Sequence, residues 1–352
     1  MKEFVKEGQL VAMQLCFPGV TTPVVSEESK ITALNVTSDG VVYGGTSGRK
    51  VHIFVAMIHA DTGVVADLGT IEKANYCTAV LCESKRLFVC VNSSHCGRII
   101  AHGYQAPWYP NGCIQEWSFS REPFDVISEP VPGEEITHAV NITSGKILVG
   151  ITPKHLFSLH LKSLKVKIHA EINLVSSSSQ RIVAGMDGMI YGVDSSGSIW
   201  RFDPLSEKLK ISVAHIPSAY GNDGFIWAKD MVSGMLYVVS ATSGVLFSYN
   251  SITGNVSKLG RPPFIPVSCI AVTYDGRLFG ICGKGIGHLF SYSPDTQKIV
   301  DLGIPVSVIA NRRYGYEFAD AVVGKNGEIY FGECDRGGHL WVYFPSIQSC
   351  TA

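Results

Sequence analysis

A short turn followed by a β-rich run recurs seven times along this 352-residue chain. It is seen as SDGVVYGG from Ser38, TSGKILVG from Thr143 and YDGRLFGI from Tyr274. The second residues of the seven turns stand at positions 39, 84, 144, 187, 233, 275 and 326, so successive turns are 45, 60, 43, 46, 42 and 51 residues apart. This period is typical of the four-stranded blades of a β-propeller.

The other strands of a blade recur in the same order around each turn. An apolar run such as ITALNV precedes the turn, and an aromatic run such as HLFSYSP follows the second strand. A further turn then leads to a fourth run, as in DTQKIVDLG. Alternating apolar positions with turn residues at fixed offsets favour all-β structure. The sequence therefore predicts a seven-bladed β-propeller of four-stranded antiparallel blades.

The last blade lacks a fourth strand of its own, because only seven irregular residues follow HLWVYFP. Before the first repeat stands an unassigned strand-like run, GQLVAMQLCF. Since a ring must close or leave exposed edges, we expect residues 9–16 to close the last blade. The whole chain, 1–352, is predicted to be a single domain, with blades at approximately 31–70, 74–130, 135–172, 178–216, 224–260, 266–303 and 317–345.

Composition excludes several functional classes. Hydrophobic residues make up 46% of the chain, charged residues 17%, and the formal net charge is −1, so the overall field attracts neither nucleic acid nor a membrane surface. The start has no apolar signal-peptide core, and the ten cysteines form no regular framework. These features predict a cytoplasmic monomer with reduced thiols, or a secreted one if a native signal has been removed.

Charged side chains sort unequally between the two rims of the predicted ring. Loops between strands two and three, and between strand four and the next blade, share one rim, called here the upper rim. The lower rim receives mostly acids (Asp39, Asp61, Asp187, Asp203, Glu207, Asp275 and Asp295). A cationic upper mouth suits an anionic ligand, although turn loops simply rich in charge would give the same pattern. Its residues are Arg49, Lys50, His95, Arg98, His102, Lys154, His155, His215, Tyr220, Lys284, Arg312, Arg313, Tyr314, Tyr316, Arg336 and His339.

Two long loops interrupt the period, and both are predicted on the upper rim. One, NSSHCGRIIAHGYQAPWYPNG, is placed between strands two and three of blade 2; the other, IPVSVIANRRYGYEF, precedes blade 7. Long loops on a rigid scaffold often carry binding and catalytic residues. Aromatic rings beside cationic donors suit a sugar that bears a carboxylate. Alternatively, the rings only pack the loops down.

The inner strands supply a further set of side chains. Six residues before the second residue of each turn stands a position of varying residue type, and the residue after it is apolar in every repeat. We therefore expect the varying position to face the central channel. Buried polar groups are costly unless paired, and they form either a satisfied network or the floor of a site. The seven residues are Ala33, Thr78, His138, Arg181, Trp227, Cys269 and Asp320.

Metal chemistry is the weaker interpretation of blade 2. The chain there contains Cys90, His95, Cys96, His102 and Cys113, but their spacing matches no zinc pattern. No phosphate-binding loop, dinucleotide fingerprint or nucleophile elbow occurs in a suitable context. We therefore expect no metal and no other cofactor.

The last repeat, YGYEFADAVVGKNGEIYFGECDRGGHLWVYFP, resembles the closing blade of the seven-bladed propeller polysaccharide lyases that act on L-rhamnosyl-α-1,4-D-glucuronate ends. The resemblance implies removal of a terminal rhamnose by β-elimination, leaving an unsaturated glucuronate. The partner would then be an oligosaccharide or polysaccharide containing uronic acid.

Such an elimination requires a cation for the carboxylate, a base and an acid. The sequence offers His102 as the leading base or acid, His138 as the second candidate and Tyr104 as a proton donor. The predicted substrate-binding residues are Arg181, Arg313 and Arg336 for the carboxylate, Trp108 and Tyr316 as sugar platforms, and in addition Arg312 and His95. His339 begins a strand as His288 does, which favours a structural role for it. Two alternatives remain: a non-catalytic propeller that binds an anionic glycan or protein, and a metal-dependent hydrolase or lyase.

Overall fold

The computed structural model describes residues 8–14, 24–59, 62–83, 86–94, 96–103, 124–142, 146–174, 177, 179–217, 224–307 and 314–346. It shows seven antiparallel sheets of four strands each. The predicted all-β, seven-bladed propeller is thus confirmed. A short 3-10 helix, Ser26–Glu28, precedes the first complete blade. No helix in these ranges is long and apolar enough to cross a membrane.

The strands follow one another from the channel outwards in each blade, and the first strand of every blade is called here the inner strand. The strands are β1 Gln9–Gln14; β2 Lys30–Val36, β3 Val42–Ser47, β4 Val51–His59 and β5 Thr62–Ile71 in blade 1; β6 Tyr76–Glu83, β7 Arg86–Ser93, β8 Cys96–Gly103 and β9 Asp125–Ser128 in blade 2; β10 His138–Asn141, β11 Ile147–Ile151, β12 His155–His160 and β13 Lys165–Glu171 in blade 3; β14 Val183–Ala184, β15 Ile190–Val193, β16 Ser198–Asp203 and β17 Lys208–His215 in blade 4; β18 Phe225–Lys229, β19 Leu236–Ser240, β20 Leu246–Tyr249 and β21 Val256–Gly260 in blade 5; β22 Val267–Val272, β23 Leu278–Cys282, β24 His288–Ser293 and β25 Lys298–Gly303 in blade 6; and β26 Phe318–Val323, β27 Ile329–Glu333 and β28 His339–Phe344 in blade 7.

The ring is closed by its N-terminal strand. β1 pairs antiparallel with β28, from Gln9 opposite Phe344 to Gln14 opposite His339. Blade 7 therefore has three strands from the C-terminal end of the chain and an outer strand from the N-terminal end. The predicted closure is confirmed, with a strand that ends at Gln14. Pairing of both ends removes one of the free edges that an open sheet would expose.

The recurring glycine of the second strand makes room for the aromatic residue of the third. Gly44 pairs with Phe54 and Gly150 with Phe157, and a Cβ at either glycine would lie 2.2 Å from the partner ring. Trp200 covers Gly192 in the same way, at 2.3 Å. Each ring is fully buried. The repeated pattern of the sequence thus encodes a cross-strand contact, because only glycine leaves space for the ring.

Hydrophobic clusters lie between neighbouring blades, so there is no single central core. One cluster combines Phe279 and Leu289 of blade 6 with Phe318, Phe331 and Trp341 of blade 7. Another combines Tyr191 and Phe247 from blades 4 and 5. Each blade therefore buries both of its faces against a neighbour, and the inner strands are brought close around the axis.

The strand register corrects the predicted inner-strand row in two blades. Leu34 of blade 1 pairs with Gly44, and the matching residues are Val80 in blade 2 and Trp227 in blade 5, which pair with Val89 and Val238. The preceding residues, Ala79 and Ile226, thus join His138, Arg181 and Asp320 in one row. Thr78 and Trp227 do not belong to it.

Unequal turn lengths explain this error. The turn after the inner strand is closed by Thr37 with Val41 in blade 1. The corresponding pair is Glu83 with Arg86 in blade 2, and Asp230 with Met235 in blade 5. Compared with blade 1, the turn is therefore one residue shorter in blade 2 and one residue longer in blade 5. Counting six residues back from the turn thus reaches a residue one position away from the row in these two blades.

The predicted position of the blade-2 insertion is wrong. The segment from Cys96 to Gly103 is the third strand, β8, paired along its length with β7. The fourth strand, β9, pairs with β8 in turn, so the insertion does not separate strands two and three. Residues 104–123 lie outside the described residues. A run with two glycines, an arginine and a histidine resembles a loop in the sequence, yet Ile99 and Ile100 are buried in two different clusters.

The contact between glycine and ring can be tested in blade 3. Gly150→Ala should lower the free energy of unfolding by about 1–3 kcal/mol, since the new methyl group overlaps the Phe157 ring. Phe157→Leu in the same chain should recover part of this loss, because the smaller side chain gives the methyl group space. Urea unfolding of the two single variants and the double variant measures the coupling. Additive effects would show that the residues do not share this space.

Candidate functional site

Three of the cations on the upper rim are bonded to carboxylates or main-chain carbonyls. Arg49 Nε lies 3.1 Å from a Glu27 carboxylate oxygen, and Lys50 Nζ lies 3.2 Å from Glu72. The Arg98 guanidinium donates to the main-chain carbonyls of Glu72 and Lys73. The rim that the sequence predicted to be cationic therefore carries mixed charge in the part of the chain described.

A histidine at or near the start of the third strand binds a carboxylate in four blades. His52 lies 2.9 Å from both Glu28 and Asp67. The other three pairs are His155 with Glu134 at 2.9 Å, His288 with Asp301 at 3.6 Å and His339 with Glu333 at 3.0 Å. Recurrence at the same place in the fold indicates a structural role, as expected for His339. Glu333 is fully buried and also accepts a hydrogen bond from Trp341 Nε1 at 3.0 Å.

Arg181 belongs to the inner-strand row of blade 4, on the channel side of the blade. Its side chain belongs to blade 4, yet it acts electrostatically on Tyr76 and Cys77 of blade 2, His138 of blade 3 and Asp320 of blade 7. A group felt by blades on both sides of the ring must lie near the axis. Arg181 is only 8% exposed. Within the described ranges its guanidinium has no hydrogen-bond or ion-pair partner.

His138 is a neutral hydrogen-bond donor in this arrangement. Its Nδ1 accepts the main-chain N–H of Ile182 in the next blade at 3.3 Å, so the ring proton resides on Nε2. Burial, together with the nearby Arg181 charge, lowers the pKa of His138 well below its ordinary value. The imidazole therefore presents an N–H group and no positive charge at neutral pH.

Asp320 binds the following blade in the same way. Its Oδ2 accepts the N–H of Leu34 at 2.8 Å, and its Oδ1 accepts the N–H of Ala321 at 3.0 Å. Burial raises the pKa of Asp320, against the opposing effects of Arg181 and the two amides. His138 and Asp320 are thus satisfied by the backbone, as the network alternative expects. The Arg181 guanidinium and the Nε2–H group of His138 keep their donors free among the residues described.

A cavity of about 380 Å³ opens at the upper rim, and its described lining includes none of His138, Arg181 and Asp320. Tyr76 relates it to the channel, because this side chain also interacts electrostatically with Arg181. Asn92 fixes its wall, since Nδ2 donates to the Ile136 carbonyl and Oδ1 accepts the Ile136 amide, both at 2.9 Å. Glu135 is the charged side chain among the described lining and is exposed to solvent. The lining consists of Asn75, Tyr76, Thr78, Asn92, Glu135, Ile136, Thr137, Pro153 and Ser177.

The structure brings together two of the predicted site residues, His138 and Arg181. Arg336 is exposed in the last loop of blade 7, and Tyr316 is 40% exposed; neither lines the cavity. The backbone of His102 pairs with Leu87, level with Cys82, which is roughly 20 Å along the strand from Tyr76. His95, Tyr104, Trp108, Arg312 and Arg313 lie outside the described residues.

Two cavity residues, Tyr76 and Glu135, escaped the sequence analysis. Tyr76 begins the inner strand of blade 2 and pairs with Asn92, just as Lys30 pairs with Ser47 in blade 1. An alignment of strand starts would have found it, whereas the alignment of turns did not. Glu135 lies in the approach to an inner strand, a region that the sorting of loops left out.

The described part of blade 2 offers no metal site. The side chain of Cys90 is fully buried in an apolar cluster, and burial raises the pKa of its thiol to about 12. No three His, Cys, Asp or Glu side chains are grouped to hold a metal in the ranges that the structure covers. The side chains of His95, His102 and Cys113 fall outside those ranges.

No protein-family model matches the sequence, and no curated protein matches it significantly. Among solved structures, a streptogramin B lyase is similar with a TM-score of 0.69 and 13% identity, over 98% of this chain and 100% of the other. A catalytically inactive histidine-to-alanine variant of virginiamycin B lyase from Staphylococcus aureus, solved with quinupristin, is similar with a TM-score of 0.66 and 13% identity, over 97% of this chain and 100% of the other. At such low identity these likenesses show the fold alone.

An extracellular domain of a putative hybrid two-component system from B. thetaiotaomicron is also similar, with a TM-score of 0.62 and 15% identity. It is matched over 97% of this chain and 40% of its own. A lyase and an extracellular domain of a putative two-component system thus share one architecture, so function must be argued from the site.

The histidine–carboxylate contacts predict a pH dependence of stability. Burial disfavours the charged form of His52, but the hydrogen bonds and charges of Asp67 and Glu28 outweigh it, and the pKa of His52 is raised. Protonated His52 therefore stabilises the fold below the pKa of the unfolded chain, near 6.5, and this contribution is lost as the pH rises through the folded-state value. The loss of unfolding free energy in His52→Gln should be greater at about pH 5.5 than at about pH 9.

Urea unfolding at both pH values measures this difference. His160→Gln is the matched control, because His160 is exposed and its ring accepts only a 3.3 Å hydrogen bond from the Ser163 amide. An equal loss at both pH values for His52→Gln would contradict a stabilising charge at this position.

Proposed function

We propose that this protein is a carbon–oxygen lyase that cleaves a glycosidic bond to a uronic acid, of the rhamnosyl-glucuronate type, by β-elimination. The reaction takes place where the cavity of the upper rim meets the central channel. Support comes from the free guanidinium of Arg181, from the chemistry of the side chains around it and from the family resemblance of the last blade. Similarity to lyases with the same fold is in keeping with the reaction class.

Arg181 is the observation that carries the proposal. Arg181 is only 8% exposed and has no hydrogen-bond partner among the described residues, so a ligand that enters the channel can supply acceptors to its guanidinium. Its planar fork matches a carboxylate, which it can bind through two parallel hydrogen bonds. As the C5–H bond of a uronate breaks, negative charge spreads onto that carboxylate. A fixed cation in a site of low dielectric stabilises such charge more strongly than water does.

His138 supports the same charge from a second direction. Its Nε2–H is a neutral donor, since Nδ1 is occupied by the Ile182 amide. In this tautomer His138 cannot accept the C5 proton, so it binds the carboxylate and is not the base. The proton acceptor we assign is Glu135, the carboxylate among the described cavity residues. The proposal thus moves the base from His102, roughly 20 Å away along the blade, to Glu135.

The dimensions of the site suit a small ligand. Its volume of about 380 Å³ lies in the range of small-molecule pockets. Amide and hydroxyl groups from Asn75, Thr137 and Ser177 border it, and such groups bind sugar hydroxyls. Arg49 and Lys50 of the rim are already paired with carboxylates, and we assign Arg181 as the cation that matches the charge of the substrate.

A non-catalytic propeller that binds an anionic glycan would use the same guanidinium. The two functions differ in turnover, since a binder requires no base beside the carboxylate. Glu135 in the cavity therefore favours the lyase. An enzyme should form product with the ligand, whereas a binder should return it unchanged.

The test is incubation of the full chain with rhamnosyl-glucuronate oligosaccharides, with ultraviolet absorbance of the unsaturated uronate as the readout. Arg181→Met should lower kcat by about 10²–10³-fold, the usual cost of removing one stabilising donor from a developing anion. Arg261→Met is the matched control, because Arg261 is an exposed arginine in the loop before blade 6. It should keep wild-type turnover.

Further arms separate the alternatives. Polygalacturonate tests a different uronate, and quinupristin is included because a lyase of the same fold was solved with it. Binding of uronates without product in any arm would favour the non-catalytic propeller. Turnover only of quinupristin would contradict the sugar substrate and keep the lyase reaction.

A further inference from the structure

Tyr76 borders both the cavity and the channel. It is the first residue of the inner strand of blade 2, and its side chain lines the cavity. The same side chain interacts electrostatically with Arg181 and Asp320. A ligand whose carboxylate binds Arg181 would therefore place its neighbouring atoms beside this ring.

The backbone holds Tyr76 firmly in this place. Asn75, the preceding residue, donates its N–H to the Asn92 carbonyl at 3.0 Å and accepts the N–H of Gly48 at 2.9 Å. Asn92 is in turn fixed by Ile136. Three blades thus define the position of the tyrosine, which is the precision that proton transfer to one substrate oxygen requires.

The Tyr76 hydroxyl is free to donate. It has no hydrogen-bond partner within the described part of the chain, in contrast to Tyr191 and Tyr330, whose hydroxyls donate to Asp187 and Glu328. Burial raises the pKa of Tyr76, and the Arg181 charge opposes this shift. The phenol therefore keeps its proton at neutral pH, and the phenolate formed by donation lies within reach of a cation.

We propose that Tyr76 is the catalytic acid of the elimination and donates its phenolic proton to the leaving glycosidic oxygen. This inference rests on the proposed function. Glu135 takes the C5 proton, the C5–H electron pair becomes the C4–C5 double bond, and the C4–O pair leaves with the oxygen. That oxygen takes the proton of Tyr76. The phenolate regains a proton from solvent, and Glu135 releases the one that it took.

Other tyrosines fit this role less well. Tyr316 is 40% exposed and lies outside the cavity lining. Tyr104 of the sequence prediction lies outside the described residues. Tyr76 is the tyrosine among the described cavity residues.

The experiment compares two substrates that differ in the leaving group. One is a rhamnosyl-glucuronate disaccharide, whose departing oxygen needs a proton. The other carries fluoride at C4 of the glucuronate, and fluoride departs as an anion. Tyr76→Phe should lower kcat on the disaccharide about 10²-fold with little change in KM. On the fluoride substrate it should turn over almost like the wild type.

Tyr274→Phe is the matched control, since Tyr274 is 49% exposed in a lower-rim turn; it should behave as wild type on both substrates. Equal losses on both substrates for Tyr76→Phe would overturn the acid role and indicate a structural one. Unchanged turnover of the disaccharide would overturn it as well. If the wild type cleaves no uronate at all, the proposed function fails, and this inference fails with it.

Discussion

Each blade depends on its neighbour to satisfy the first strand of the next sheet. Side chains carry these bonds: Ser47 accepts the Cys77 amide, Asn92 binds both main-chain groups of Ile136, and Gln180 accepts the amide of Phe225. Buried backbone groups seldom remain unpaired. The bonds therefore set the spacing of the inner strands, and with it the width of the channel in which Arg181 lies.

The row of His138, Arg181 and Asp320 shows how this scheme creates a site. An imidazole nitrogen and a carboxylate can each accept an amide proton from the next blade, and both do so. A guanidinium has no acceptor atom, so Arg181 cannot serve in the same way. Its donors remain directed at the space near the axis. One residue type that cannot perform the structural task of its row thus becomes the group available to a ligand.

Local patterns determined how much of the fold could be predicted from the sequence. The repeat, the glycine opposite an aromatic ring and the unpaired last strand are encoded within a few residues, and they gave the ring and its closure. β8 was missed because its glycines, arginine and histidine hide a strand in which Ile99 and Ile100 face different clusters. The inner-strand row was shifted where turn lengths differ, as between Thr37–Val41 and Asp230–Met235.

Prediction of the site was limited by distance along the chain. The carboxylates that neutralise the rim come from the approaches to inner strands, and Glu28 lies 24 residues from His52. Sorting loops by position could not pair them. Arg181 and His138 were found because each stands out within its own strand. Tyr76 and Glu135 could not be recognised from their own strands, because they line one cavity only where blades 2 and 3 pack together.

The pairing of β1 with β28 determines when the ring can close during synthesis on the ribosome. β1 is synthesised long before its partner β28, since Gln14 pairs with His339. Until then the nascent chain holds an incomplete ring whose terminal sheet edges are open to other chains. Such long-range pairing folds slowly. The circle can thus be sealed only after β28 has left the ribosome.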